Sequence, residues 1–201
     1  MSTLVAPPRA KFAAEVSPIP AAARARMEGV SWRGDDPRCP RWDALAYLVV
    51  DHVTFDGATA RGEIVVAIEL AARAIELFRR LYQLGFPIRQ IALVDNYGGS
   101  DDADGGRQLV GIQLPCRRRH RLALQHALGR AIDINPVENP WRKPDRIVPP
   151  PAPRSLIAAT SGPACSCDRG PPSPRPTSSA GSGRDWRHAS DDHHFVWPRG
   201  R

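Results

Sequence analysis

The sequence predicts an α+β fold in which a small antiparallel sheet carries flanking helices. Three observations lead there. Two β-rich runs are separated by an Asp-Gly turn, one run has the three-and-four spacing of an amphipathic helix, and a short alternating apolar stretch lies beyond them. The length agrees with one such unit, because 201 residues at 42% hydrophobic content supply one core rather than two.

Taken in order, residues 1–26 are rich in Ala and Pro and read as a disordered lead-in. They lack the basic start and continuous apolar stretch of a standard signal peptide. Residues 32–42, with Gly34, Pro37, Cys39 and Pro40 between Trp32 and Trp42, read as an irregular loop. Residues 46–55 hold Tyr47, Leu48, Val49, Val50, Val53 and Phe55 and run into Asp56-Gly57, which is strand chemistry followed by a turn. A second strand over 60–66 is expected to pair with the first. His52, on the first strand, reads as a hydrogen-bonded structural histidine. Across 67–84, Ile68, Ala71, Ile75, Phe78 and Tyr82 recur on one helical face, and Gly85 followed by Pro87 marks the C-terminal cap. Residues 88–94 read as a strand that ends in the polar loop 95–102. The last clear strand, 130–135, puts Ile132 and Ile134 on an apolar face and Ala131, Asp133 and Asn135 on the other, so Asp133 points away from the core side.

Composition divides the rest. Nine prolines fall between Pro149 and Pro176 with almost no aromatic or β-branched residue beside them, so 149–184 cannot bury enough apolar surface to fold alone and reads as disordered. The expected organisation is therefore a lead-in over 1–26, a folded domain over 27–148, the Pro/Ser/Arg-rich segment and a tail over 185–201. No window reaches the roughly 18 apolar residues of a membrane span.

A formal charge of +7 rests on 26 arginines against two lysines, a ratio that speaks of GC-rich coding more than of function. The arginines are scattered, Arg117, Arg118 and Arg119 included, and a nucleic-acid surface needs a coherent basic face; no nucleic-acid partner is expected. Cys39, Cys116, Cys165 and Cys167 make no structural zinc spacing, and a Cys39 to Cys116 disulfide is open in an oxidising compartment.

A carboxylate on a strand between two isoleucines is costly to place without a partner, so Asp133 is either a hydrogen-bonded structural residue or a ligand. The surrounding pattern bears on that choice. The stretch His126-x-x-Gly129-x-Ala131-x-Asp133 resembles the Ser-x-His-x-x-Gly-x-Ala-x-Asp signature of the VanY-like zinc D-Ala-D-Ala carboxypeptidases and peptidoglycan endopeptidases, which share a fold with the hedgehog signalling domain. Similarity extends to Gly129-Arg130-Ala131-Ile132-Asp133-Ile134-Asn135-Pro136, Arg26-Met27-x-Gly29-x-Ser31-Trp32, Phe55-Asp56-Gly57, Gly62-Glu63-Ile64-Val65-Val66 and Gly85-Phe86-Pro87-Ile88-Arg89 through Asp95-x-Tyr97-Gly98-Gly99. Together these cover roughly half the chain.

The resemblance implies a hedgehog/DD-peptidase-like fold and a zinc-dependent peptidase that hydrolyses a peptide bond of bacterial peptidoglycan. It further implies His126 and Asp133 as zinc ligands. Near the C-terminus, Asp185-Trp186 followed by Asp191-Asp192-His193-His194-Phe195 is similar to the family's Asp-Trp…Asp-x-x-His-Phe pattern, which implies His194 as third ligand and Asp191 as general base. Without the family, the His193-His194 pair reads as surface histidines. Three ligands from His and carboxylate leave a fourth position for water, which zinc makes acidic enough to ionise near neutral pH. Residues three apart in an extended strand face opposite sides, so Asp191 reaches that water only if the chain turns before His193; Asp192 is the fallback. Arg89 reads either as a receptor for a substrate carboxylate or as a solvated arginine at a strand end. By the same resemblance the protein is a monomer of the bacterial cell envelope or exterior.

Two windows depart from the family. Leu124 stands where its Ser is found and Leu128 where an aromatic is found, and the pattern lapses over about 105–128 and again over about 151–184. Both windows are rich in Arg, Pro, Ala and Ser without periodicity, as GC-rich DNA read out of frame produces. A catalytically impaired or dead family member, at most a binder of wall peptide, is the alternative to an active peptidase.

Overall fold

The computed structural model describes residues 11–98, 126 and 128–135, together with the backbone of four short strands at 141–142, 147–148, 181–182 and 194–196. The chain is mixed helix and strand, as the α+β reading expects. Its elements are β1 (Ala14–Ser17), α1 (Ala21–Met27), β2 (Leu45–Val53), β3 (Thr59–Ala67), α2 (Ala71–Gln83), β4 (Ala131–Asp133), β5 (Trp141–Arg142), β6 (Ile147–Val148), β7 (Gly181–Ser182) and β8 (His194–Val196).

β1, β2 and β3 form one antiparallel sheet in that order. The β2–β3 ladder runs unbroken from Leu45 opposite Ala67 to Val53 opposite Thr59. Its turn is closed by Thr54 N donating to Ala58 O at 2.9 Å and Gly57 N to Thr54 O at 2.9 Å, with the Asp56 carboxylate accepting from Ala58 N. The period of two sorts the strands into two faces. Ala46, Leu48, Val50, Ile64 and Val66 pack under Ala74, Phe78 and Leu81 of α2, whereas Leu45 and Val65 meet Ile19, Ala23 and Met27 of the α1 region and Leu93. Both faces are thus buried, and Trp32 stacked on Trp42 at 3.9 Å between ring centroids adds to the second cluster.

Several expectations are corrected. Residues 11–26 are not a lead-in: β1 pairs with β2, and α1 buries Ala23 and Met27. The helix is preceded by a 3-10 turn over Ile68–Leu70, and its buried face is Ala71, Ala74, Leu77, Phe78, Leu81 and Tyr82. Ile68 is 55% exposed because it belongs to that turn and not to the helical stripe. Gly85 does adopt the left-handed conformation, at φ +67°, and its N–H closes on Tyr82 O at 3.0 Å.

Residues 88–94 are not a strand. Their backbone groups go to different partners: Ile88 N donates to Val53 O (2.7 Å), Arg89 N to Asn135 Oδ1 (3.1 Å), and Ile91 O accepts from Glu63 N (3.1 Å). Ile88 and Ile91 belong to the α2-side core and Leu93 to the α1-side cluster, so the segment wraps the free edge of β3 from one face to the other. Gly62 permits the crossing. A Cβ there would lie 2.4 Å from the Ile91 Cβ and carbonyl oxygen.

The segment 149–184, apart from β7, lies outside the described residues, as do Cys116, Cys165 and Cys167. Cys39 is in a disulfide. No helix among the described residues is long and apolar enough to cross a membrane.

Candidate metal centre

β4 is short and strongly anchored. Ile132 and Ile134 enter the core beneath α2, with relative exposures of 0% and 2%. Gly129, at φ +68°, forms the turn into the strand: its N–H donates to His126 O at 2.9 Å, and its carbonyl accepts from Ala67 N, at the end of β3, at 2.9 Å. That turn brings His126 back over the strand it precedes.

Asp133 lies on the face of β4 opposite Ile132 and Ile134. This face was expected to lie away from the core, and it too is buried: Ala131, Asp133 and Asn135 are 1%, 7% and 1% exposed. His126 is 6% exposed, and its Nε2 stands 3.5 Å from Asp133 Oδ2. Two donors about 2.0–2.1 Å from one tetrahedral zinc are themselves separated by about 3.3–3.4 Å. The pair therefore has donor types and a spacing that a single zinc accepts. Among the described residues no third His, Cys, Asp or Glu side chain completes a group of three.

The backbone brings in the other end of the chain. β8 lies between β4 and β7, antiparallel to both, with Ala131 opposite Val196, Ile132 opposite Phe195 and Asp133 opposite His194. Directly opposed positions of an antiparallel pair share a face, so position 194 is on the face of the sheet that carries Asp133. Asp191, the expected base, and its fallback Asp192 lie outside the described residues, as do Arg117, Arg118 and Arg119.

Arg89 is partly buried and lies on a loop and not at a strand end. Its guanidinium carbon sits 4.9 Å from the centroid of the Phe55 ring. His52 is 4% exposed, and its Nδ1 has no hydrogen-bond partner among the described residues. Burial pushes its imidazole pKa down, against a smaller opposing influence of Asp51.

A polar network that the strand pattern did not announce sits on the α1 side of the central sheet. Arg26 grips Glu63 with both terminal nitrogens, at 2.6 and 2.7 Å, and also donates to Asn96 Oδ1 at 2.8 Å. The Tyr47 hydroxyl donates to Glu63 as well, and Ser31 N donates to Asp95 Oδ1 at 3.0 Å. Hydrogen bonding to Arg26 holds the Glu63 carboxyl below its ordinary value, whereas burial pushes Asp95 up and, with Glu63 beside it, Tyr47 up to about 12. Three separated stretches of the family pattern, around Arg26, Glu63 and Asp95, thus meet in one cluster. Their signal in the sequence was the resemblance alone.

Comparison with protein-family models, with curated proteins and with solved structures returns no match to this chain.

Proposed function

We propose that this chain is a zinc-dependent peptidase of the VanY-like type, with a hedgehog/DD-peptidase-like fold, hydrolysing a peptide bond of bacterial peptidoglycan. The observation that carries the reading is convergence: His126, Asp133 and position 194, named as ligands by the sequence pattern, meet at one short sheet although 68 residues separate the first from the last (194 − 126). Zinc, when bound, would supply a water that ionises near neutral pH and a Lewis acid for the scissile carbonyl. His126, Asp133 and His194 would hold it, Arg89 would receive a substrate carboxylate, and Asp191 would serve as the base that takes a proton from water and returns it to the leaving amine. The expected setting is the cell envelope or exterior.

The alternative is an impaired family member that at most binds wall peptide. What favours it is the lapse of the family pattern over about 105–128 and 151–184, windows that contain His126 and β7. Metal analysis of the purified full chain separates the two. One equivalent of zinc, lost in His126→Ala together with hydrolysis of a wall stem peptide, supports the peptidase; a chain that takes up no zinc is the impaired form.

A further inference from the structure

Asn135 follows Asp133 by two residues and is the only non-glycine with positive φ among the described residues, at +46°. A side-chain-bearing residue in that region carries a local cost and persists where its surroundings hold it. What holds it is visible. The Asn135 side chain uses both ends of its amide on one loop: Oδ1 accepts from Arg89 N at 3.1 Å, and Nδ2 donates to Pro87 O at 2.8 Å. The residue is 1% exposed, so neither bond competes with bulk water.

This is the pairing a neighbouring strand would offer, supplied by one side chain. Residues 87–89 have β2 on one flank, through the Val53–Pro87 bridge and the Ile88 N to Val53 O bond, and Asn135 on the other. The backbone of Arg89 is fixed by Asn135, and its guanidinium rests over Phe55. The same Asn135 lies two residues beyond Asp133, the last residue of β4. Asn135 therefore ties the backbone of residues 87–89 to the end of the strand that carries Asp133.

We propose that Asn135 is a positioning residue that couples Arg89 to Asp133, holding the arginine at a fixed reach from the metal centre so that the site selects peptides ending in a free α-carboxylate. The inference rests on the peptidase reading for its substrate and on the geometry of residues 87–89 and 133–135 for its mechanism.

The test uses the full chain with zinc and compares wild type with Asn135→Gly, which keeps the backbone conformation and removes the amide. Amide hydrogen exchange at residues 88–89 is expected to speed up about ten-fold or more, with the β2 segment unchanged and zinc content retained. In parallel, KM for a short D-Ala-D-Ala peptide with a free carboxylate rises about ten-fold, while turnover of the same peptide with an amidated C-terminus stays as it was. If Asn135→Gly does not fold, Asn135→Ser carries the same readouts, since one shorter hydroxyl cannot replace both ends of the amide. Unchanged exchange at Arg89 overturns the positioning role. An equal loss on the free and amidated peptides overturns the carboxylate selection while the peptidase reading stands. A wild-type chain without zinc or hydrolysis sinks the peptidase reading and the selection with it, and the exchange measurement still decides the tether.

Discussion

β2 and β3 pair over nine residues each without a slip, whereas β4 and β8 pair over three. The long ladder is closed by a local turn at 54–58, and both its faces are buried under neighbouring elements. The short one joins residues some sixty positions apart and sets Asp133 opposite position 194. The difference teaches where stability and chemistry reside. The strands of the central sheet all lie within residues 14–67, while the site sheet depends on long-range closure, which costs loop entropy before any contact repays it. β4 escapes part of that dependence because Ile132, Ile134 and the Ala67–Gly129 bond dock it on the central body.

The contrast can be broken at the site without touching the body. His126→Ala or Asp133→Ala is expected to lower kcat/KM on the order of 10⁴-fold, about 5.5 kcal/mol of transition-state stabilisation, with the far-UV circular dichroism of the central sheet retained. Loss of the sheet signal together with activity would mean that the site is part of the scaffold.

The next effect joins the two regions. Ile132→Ala removes a fully buried side chain from the core that α2 and β2 share and is expected to cost about 2–5 kcal/mol, read as a lower urea midpoint. An unchanged midpoint would show that β4 docks loosely, and that core and site unfold separately.

A smaller effect lies in the body itself. Gly62→Ala forces a methyl against Ile91, and overpacking of that kind costs about 1–3 kcal/mol. Because the 88–94 segment also leads through Arg89 to Asn135, thermal unfolding should fall together with peptide binding. A variant that loses stability and binds normally would uncouple the edge crossing from the site.

The smallest concerns pH. Glu63 has its folded pKa held below the ordinary 4.5 by Arg26, so its share of stability is full above that value and is lost as pH falls through the depressed one. Asp95, raised by burial, acts in the opposite sense, losing stability as pH rises through its own window above 3.8. Arg26 is 38% exposed along its side chain, which screens the pair and keeps its worth to about 1 kcal/mol. Glu63→Gln should lower the melting temperature at pH 7 by a few degrees and flatten the fall in melting temperature between pH 5 and 3; an unaltered acid limb would put acid sensitivity elsewhere.

Much of the body was legible in the sequence. The β2–β3 pair, the turn at Asp56-Gly57, the helix over most of its length and the Gly85 cap each follow from local periodicity or a single residue's backbone preference. β1 was not legible, since Ala14–Ser17 is a four-residue edge strand exposed at three of its four positions, and its pairing is supplied by β2 rather than by its own pattern. The 88–94 run misled for a related reason. Its apolar residues are buried as a strand's would be, but they serve two cores on opposite sides of β3. At the site, His126 and Asp133 were named through the resemblance alone, whereas Asn135 looked like one more residue on an alternating face.

By itself the sequence determined the elements that short-range physics specifies and, through the resemblance, the identities of the candidate ligands. Only the tertiary structure decided that His126 comes within 3.5 Å of Asp133, that position 194 stands opposite Asp133, that Asp133 is buried instead of facing outward, and that Asn135 ties Arg89 to the same strand. The reason is physical. Helical period and turn preference are properties of neighbours along the chain, but burial of a carboxylate and the reach of an amide across forty-six residues depend on which surfaces the core brings together.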